Sequence, residues 1–290
     1  MPVPGPESIT VEKGRIPMSG RRSTVIKLPI SPDPAGTRAG NQAQTLMKGL
    51  SLLRVFSAHE QYLGNKDLAE RTGLPRSTVS RLAGVLVKLG YLRYSDHLGK
   101  YALGAGVLTL AYPMIASLAI RHIARPFMKG LAEEIKGQTS MGMVYGTSMV
   151  FIETSRSSKH RHTLPEMGAT VAILISAMGR AYLARLSPAE RELAMTQLRE
   201  EDPVHWEAHS QKAEQAVQDY HRLGFVCSYG DARKELHACG VPLRTRLDNE
   251  ILVVNCSVPA HSLRPGQLEN VIGPKLVAVC RQIDFACGQP

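Results

Sequence analysis

Aromatic residues are scarce in this 290-residue chain: Phe, Trp and Tyr together make up 5%, with a single tryptophan. No apolar run reaches the roughly 20 residues that a bilayer-spanning helix needs. The N-terminus has neither the apolar stretch nor the small-residue cleavage site of a secretory signal. A soluble, cytoplasmic protein without a membrane partner is therefore expected. Cysteine is sparse too. Cys227, Cys239, Cys256, Cys280 and Cys287 are scattered, odd in number and without a C-x-x-C pair. That pattern reads as free thiols in a reducing compartment, and it excludes a zinc site built from ligand-spaced pairs.

Catalytic signatures are missing as well. The chain has no G-x-x-x-x-G-K-[ST], no G-x-S-x-G and no H-E-x-x-H. Gly104–Gly106 lacks the third glycine of a dinucleotide fingerprint. His160 and His162 lie in a basic loop, and Cys256 sits in an expected strand with no evident base beside it. No catalytic residue, cofactor or metal is expected, and the chain does not read as an enzyme.

What is present is unevenly distributed charge. Of the net +10, residues 1–43 carry +3 and residues 44–103 carry +5, leaving +2 for the remaining two thirds. A basic N-terminal third points to a nucleic-acid partner for that end. Residues 1–43 hold seven prolines and no helical or strand period. They read as a disordered basic tail in which Arg21, Arg22 and Lys27 could reach phosphates. Periodicity then sets in. Leu46, Met47, Leu50, Leu53 and Phe56 mark a first helix, Asn65 is placed to cap a second over 66–72, and Pro75 to start a third that runs to about Leu89. Two short strand-like runs, Tyr91–Tyr94 and Lys100–Leu103, flank a turn. From 105 to about 136 the pattern is helical, with breaks expected at Pro113 and Pro126. Beyond lies mixed helix and strand: strand-like runs over Met141–Tyr145, Met149–Glu153, Phe225–Tyr229, Ala238–Leu243 and Leu252–Val258, helical patterns over Ala177–Leu186, Pro188–Leu198 and Gln211–Leu223, and a closing helix over Leu268–Ile283. With 43% hydrophobic residues the chain can bury two cores. The C-terminal part is larger than a constitutive architectural DNA-binding protein would need for dimerisation alone.

The segment NKDLAERTGLPRSTVSRLAGVLVKL, residues 65–89, meets the demands of a helix-turn-helix. Ala69 is small where the second helix approaches, Gly73 supplies the turn, and Leu68, Leu74, Val79 and Leu82 face one another. Val79, Leu82, Leu86 and Leu89 form one apolar stripe of the third helix. Its outer face is left with Arg76, Ser77, Ser80, Arg81, Gly84 and Lys88, basic and free of acid. Arginine reads guanine edges, and serine serves bases or phosphates. The following hairpin, with Arg93, His97 and Lys100, sits where a winged helix places its wing. The expected DNA contacts are Lys66, Arg76, Ser77, Thr78, Ser80, Arg81, Lys88, Arg93 and Lys100.

QTLMKGLSLLRVFS, LAERTGLPRSTVSRLAGVLVKLGYLR and YALGAGVLTLA resemble the N-terminal region of the IclR family of bacterial regulators. GATVAILISAMGRAYLARLSPAER, RLGFVCSYGDARKELHACGVPLR and VVNCSVPA resemble its C-terminal segments, so that the likeness covers about 44–285. The resemblance implies an α+β chain. A winged helix-turn-helix (44–104) and a linker helix (105–122) would precede a GAF/PAS-like effector-binding domain with a curved antiparallel sheet (123–287). It further implies a homodimer that can pair into a dimer of dimers, a double-stranded DNA operator, and a small effector such as a carboxylate or aromatic acid. The function expected is a ligand-responsive repressor or activator of a catabolic operon. The pocket positions implied are Ala177, Met178, Ser228, Asp231, Ala238, Asn255 and Ser257. Asn255 and Ser257 alternate on one expected strand, so both face the same side. The chain departs from the family pattern in having Arg180 where many members have Lys. It also has DARKELHACGVP where many have an acidic pair, and Ser228 where one subgroup has an acid. The effector's identity therefore does not carry over.

Overall fold

The structure, a computed structural model, describes residues 38–158 and 166–289. Of the tail expected over 1–43, residues 1–37, with Arg21, Arg22 and Lys27, lie outside the described residues, as does the loop carrying His160 and His162, whereas residues 38–43 belong to a helix rather than to the tail. The chain divides between Leu108 and Thr109 into two compact units.

The first unit holds α1 (Arg38–Arg54), α2 (Asn65–Thr72), α3 (Arg76–Lys88), β1 (Leu92–Ser95) and β2 (Lys100–Leu103). Its core joins Leu52 and Val55 of the first helical stretch to Leu68, Val79, Leu82, Leu86 and Leu92. Gly64, rather than Asn65, precedes the first turn of α2, and its N–H donates to the Asp67 carboxylate at 2.8 Å. Asn65 instead reaches across the turn, its amide donating to the Arg76 carbonyl at 3.3 Å. Gly73 closes α2 at φ +70°, a left-handed conformation that side chains resist, and its N–H returns to the Ala69 carbonyl. Leu89 departs from the expected stripe. The helix ends at Lys88, and Leu89 is left 61% exposed. The hairpin β1–β2 is antiparallel, and Tyr101 also exchanges two backbone hydrogen bonds with Leu63, tying the wing to the loop before α2.

The helical run expected over 105–122 is two helices, α4 (Gly106–Ser117) and α5 (Ala119–Glu134). The break falls at Leu118, and Pro113 and Pro126 lie inside helices. Leu118 leaves helical geometry to bury its side chain in the core of the second unit, while the Arg121 guanidinium and the Ser117 hydroxyl satisfy the carbonyls of Ile115 and Met114.

The second unit is built on one six-stranded antiparallel sheet of order β5-β4-β3-β8-β7-β6. Its strands are β3 (Gln138–Tyr145), β4 (Ser148–Arg156), β5 (Thr170–Ala172), β6 (Val226–Tyr229), β7 (Leu236–Leu247) and β8 (Glu250–Pro259). Helices α6 (Ala177–Arg185), α7 (Pro188–Glu201) and α8 (Pro203–Leu223) separate β5 from β6, and α9 (Gly273–Ala286) closes the chain. Strand β8 shows how the two faces are divided. Leu252, Val254, Cys256 and Val258 join the core formed with Met128 and Leu131 of α5 and Leu276, Cys280 and Ile283 of α9. Ile251 and Val253 join the opposite core with Met178 and Ala181 of α6 and Ala213 and Val217 of α8. The period of two then carries Asn255 and Ser257 to the α6 side. Buried Glu153 of β4 holds Arg121 and Arg125 of α5 at 3.1 and 2.9 Å. Asp284 of α9 accepts the backbone N–H groups of Arg244 and Thr245 beside a register shift in β7.

Candidate functional site

Seven of the nine expected DNA contacts are exposed in the first unit: Lys66, Arg76, Ser77, Ser80, Arg81, Lys88 and Arg93. Thr78 and Lys100 are half-buried. Arg76, Ser77, Ser80 and Arg81 crowd the first turns of α3, the end with which a recognition helix meets base edges. Lys88 is twelve residues beyond Arg76, about 18 Å along the axis. Lys66 has an exposed partner in Glu70 at 3.7 Å. Arg93 donates to the Tyr62 hydroxyl at 3.1 Å and lies over that ring. Arg93 of the wing is thus already held against Tyr62, whereas Arg76 and Arg81 of α3 are exposed.

In the second unit a cavity of about 340 Å³ opens between the sheet and the N-terminal end of α6. Its floor is a tile of four polar side chains. Gln138 stands opposite Ser257 and Ser140 opposite Asn255 in the β3–β8 ladder, and all four line the space. Gln138 donates to the Ser140 hydroxyl at 2.9 Å. The Asn255 carbonyl oxygen, Oδ1, is buried without a protein partner. Ala177 and Met178, Ser228 and Ala238 complete the walls expected from sequence, together with Phe151, Ser176, His205 and Arg233, which were not expected. Ser176 caps α6, its hydroxyl accepting from the Gly179 N–H at 3.0 Å, so the first turn of that helix faces the cavity. Gly240 of β7 lets α6 lie this close, because a Cβ there would stand 2.4 Å from the Ala177 carbonyl oxygen.

Asp231 does not line the cavity. It is the centre of a charge cluster just outside it, with the Arg180 guanidinium at 2.8 Å, the Lys212 ammonium at 2.5 Å and the His209 ring at 3.9 Å. Burial pushes the Asp231 carboxyl upward, but Lys212 and Arg180 together outweigh it and hold the group below its ordinary value. Burial pulls His209 downward, against the attraction of Asp231. Ser228 ties the cluster to the cavity, with its hydroxyl 3.4 Å from Asp231 and 3.3 Å from the Ile175 carbonyl.

Comparison with known proteins decides the family. Residues 45–96 match the IclR helix-turn-helix domain, and residues 113–285 match the bacterial transcriptional regulator IclR C-terminal domain. The chain belongs to the IclR family of transcriptional regulators. It is 30% identical over 263 residues to the HTH-type transcriptional regulator TsaQ1/TsaQ2 of Comamonas testosteroni, which spans 90% of this chain and 93% of that protein. The crystal structure of an IclR family transcriptional regulator from Brucella abortus superposes with a TM-score of 0.77 at 33% identity, covering 89% of this chain and 99% of that one. An IclR homologue from Microbacterium hydrocarbonoxydans, crystallised with 4-hydroxybenzoate, shares the fold at 18% identity and a TM-score of 0.65, over 83% of this chain and 98% of that one.

For this IclR-family chain the cavity residues missed from sequence have a common cause. Gln138 and Ser140 repeat the alternation of Asn255 and Ser257, but the strand was expected to begin at Met141. Three more residues belong to it, and two of those, Gln138 and Ser140, carry this strand's half of the polar floor. His205 and Arg233 come from a helix and a turn that only the tertiary fold brings to the sheet.

Proposed function

We propose that this regulator senses a small organic acid in the cavity of its second unit, and reads a two-fold operator in the cytoplasm with α3. The observation that carries the ligand reading is the Asn255 Oδ1 atom, buried and unpartnered within the polar floor. A buried acceptor without a donor costs about 1–3 kcal/mol, and a ligand hydroxyl or acid proton would remove that cost. The cavity volume lies in the range that small ligands fill. An anion is favoured by the first turn of α6, whose N–H groups have no intrahelical partner, and by the Arg233 side chain on the wall. Phe151 and Met178 supply an apolar surface against which an aromatic ring can lie. The 4-hydroxybenzoate held by the Microbacterium homologue makes hydroxylated aromatic acids the first compounds to test.

The reading surface is Arg76, Ser77, Ser80 and Arg81, with Thr78 behind it. Lys66, Lys88, Arg93 and Lys100 supply phosphate contacts. A homodimer is supported by α4, an apolar helix none of whose side chains is buried and which exposes Leu108, Leu110, Tyr112 and Met114. Its operator should be a near-palindrome with half-sites about 34 Å apart or a multiple of it. The test uses Asn255→Leu, which keeps a similar volume and removes the amide. A panel of aromatic and aliphatic acids is screened for a shift in the operator affinity of wild type. The variant should lose that shift while binding the operator without ligand as wild type does. A folded variant that responds fully removes Asn255 from the site.

A further inference from the structure

The five cysteines look unconnected in the sequence, yet three of them stand in one row across the sheet. Cys227 of β6 is paired in register with Cys239 of β7, and Cys239 with Cys256 of β8. The Cys227 and Cys239 sulfurs are 3.4 Å apart. The Gly230 N–H donates to the carbonyl of Leu236, the residue opposite it. Counting along the ladder from that bond, the cysteine pair falls at a non-hydrogen-bonded position, where opposed Cα atoms approach to about 4.5 Å. That spacing lies within the range a disulfide bridges. The two sulfurs differ in access. Cys227 is half-buried on the edge strand, and Cys239 is fully buried. The hydrogen bond between the two thiols draws the Cys227 pKa down against the opposing effect of burial. Among the described residues no group of three or more His, Cys, Asp and Glu side chains is arranged to hold a metal. A reachable thiol beside a buried partner is the arrangement in which a first sulfur is oxidised and a second resolves it.

We propose that Cys227 and Cys239 are a peroxide-sensitive dithiol, a second input to the domain that carries the ligand cavity. The Cys227 thiolate attacks one oxygen of hydrogen peroxide, the O–O bond breaks, and the products are Cys227 sulfenic acid and hydroxide, which takes up a proton to leave as water. The Cys239 sulfur then attacks the Cys227 sulfur. The S–O bond breaks, a disulfide forms, and a second water leaves with the Cys239 proton. Two thiols are oxidised by two electrons and one peroxide is reduced to two waters. Closing the sulfurs from 3.4 Å to about 2.05 Å draws β6 onto β7. The residues next in line, Ser228 and Ala238, are themselves a register pair and wall the cavity on the other face of the sheet. Oxidation therefore reshapes the cavity from behind. This consequence alone rests on the ligand reading, and the thiol chemistry stands apart from it.

The experiment exposes the full-length reduced protein to hydrogen peroxide, alkylates the remaining thiols under denaturing conditions, and digests with trypsin without reductant. Cleavage after Arg222, Arg233, Lys234 and Arg244 places Cys227 in peptide 223–233 and Cys239 in peptide 235–244, each with one cysteine. The expected result is a linked pair of these two peptides, two hydrogens lighter than their sum and released by dithiothreitol, with Cys280 still alkylated. Cys227→Ser should abolish the link and leave Cys239 reduced. Three results overturn the proposal. They are no thiol loss at peroxide levels that oxidise free cysteine, a Cys227 that stops at sulfinic or sulfonic acid, and a link from Cys239 to Cys256 with Cys227 free. The wild-type map decides among these even if the variant fails to fold. Failure of the ligand screen above leaves this map unaffected, so the two ideas fail separately.

Discussion

The reading helix and the cavity are built in opposite ways. The residues of α3 proposed to read bases fall within six consecutive positions on one helix, most are exposed, and their proposed partner is another molecule. The cavity draws its walls from all six strands and from the ends of helices, between Gln138 and Ser257, and several wall residues, Phe151 and Met178 among them, also belong to a core. The difference predicts how each region answers substitution. On the helix, function and stability should come apart. Around the cavity they should be entangled, except at an atom such as Asn255 Oδ1 that the protein leaves unpartnered.

The strongest test of entanglement is Asp231→Asn. The carboxylate stands against Arg180 with both side chains almost wholly buried. Removing one member of a buried pair costs about 3–5 kcal/mol, because the other charge remains uncompensated. For a domain of this size that is a fall in Tm on the order of 10 °C. The pH dependence has a definite sign. The Asp231 carboxyl is held below its ordinary value in the folded state, so its contribution is complete above the unfolded value of about 3.9. It is lost as pH falls through the folded value. The gap in Tm between wild type and Asp231→Asn should thus be constant near neutrality and narrow below about pH 4. A variant as stable as wild type at pH 7 would show that the Arg180 charge is met by solvent, and that this edge of the sensor behaves like a surface.

Arg81→Ala should do the reverse. Specific operator binding should weaken by about 1–3 kcal/mol at matched salt if the guanidinium makes a bidentate base contact. The melting temperature should barely move, since an exposed substitution of this kind stays within about 0.5 kcal/mol. Gel-shift titrations on the operator and on a scrambled duplex, with a thermal melt alongside, separate the two effects. Unchanged discrimination between the duplexes would place the base-reading face elsewhere on α3.

The same contrast explains what could be read without a structure. The helix-turn-helix is legible because its signals are local. The Gly73 turn, the apolar stripe and the acid-free face all lie within twenty-five residues, and the errors there are single positions at helix ends, Asn65 and Leu89. In the sensor, β8 was legible as an apolar strand interrupted by Asn255 and Ser257, because alternation is a local signal too. Strand β5 was not, since three residues become a strand only by pairing with β4. Helix α8 begins eight residues earlier than its periodicity indicated, at Pro203, where two histidines and an acid hide the pattern. Asp231 and Arg180 could be singled out as unusual residues. That they neutralise each other across fifty positions of sequence, and so keep Asp231 out of the cavity, follows only from the packing of α6 against the sheet.

The smallest effect expected concerns the wing, and it probes the one place where the reader resembles the sensor. Arg93 is exposed, but its guanidinium already has a partner in Tyr62, through a hydrogen bond of 3.1 Å and a position 5.2 Å from the ring centroid. If the tyrosine merely orients the cation toward the DNA backbone, Arg93→Ala should lower affinity for all duplexes alike. It should then reduce the slope of log K against log salt by about 0.9, the value for one lost phosphate contact. Lys100→Ala should do the same at most, since its side chain is half-buried at the start of β2. Tyr62→Phe keeps the ring and removes the hydroxyl, so it should shift the slope by less than Arg93→Ala does. Discrimination between operator and scrambled sequence should survive all three substitutions, because phosphate contacts carry no direct base information. A salt slope untouched by Arg93→Ala, together with a lowered melting temperature, would assign Arg93 to the Tyr62 contact alone. The wing would then be a structural brace, and the separation of function from stability would hold for α3 but not for the reading domain as a whole.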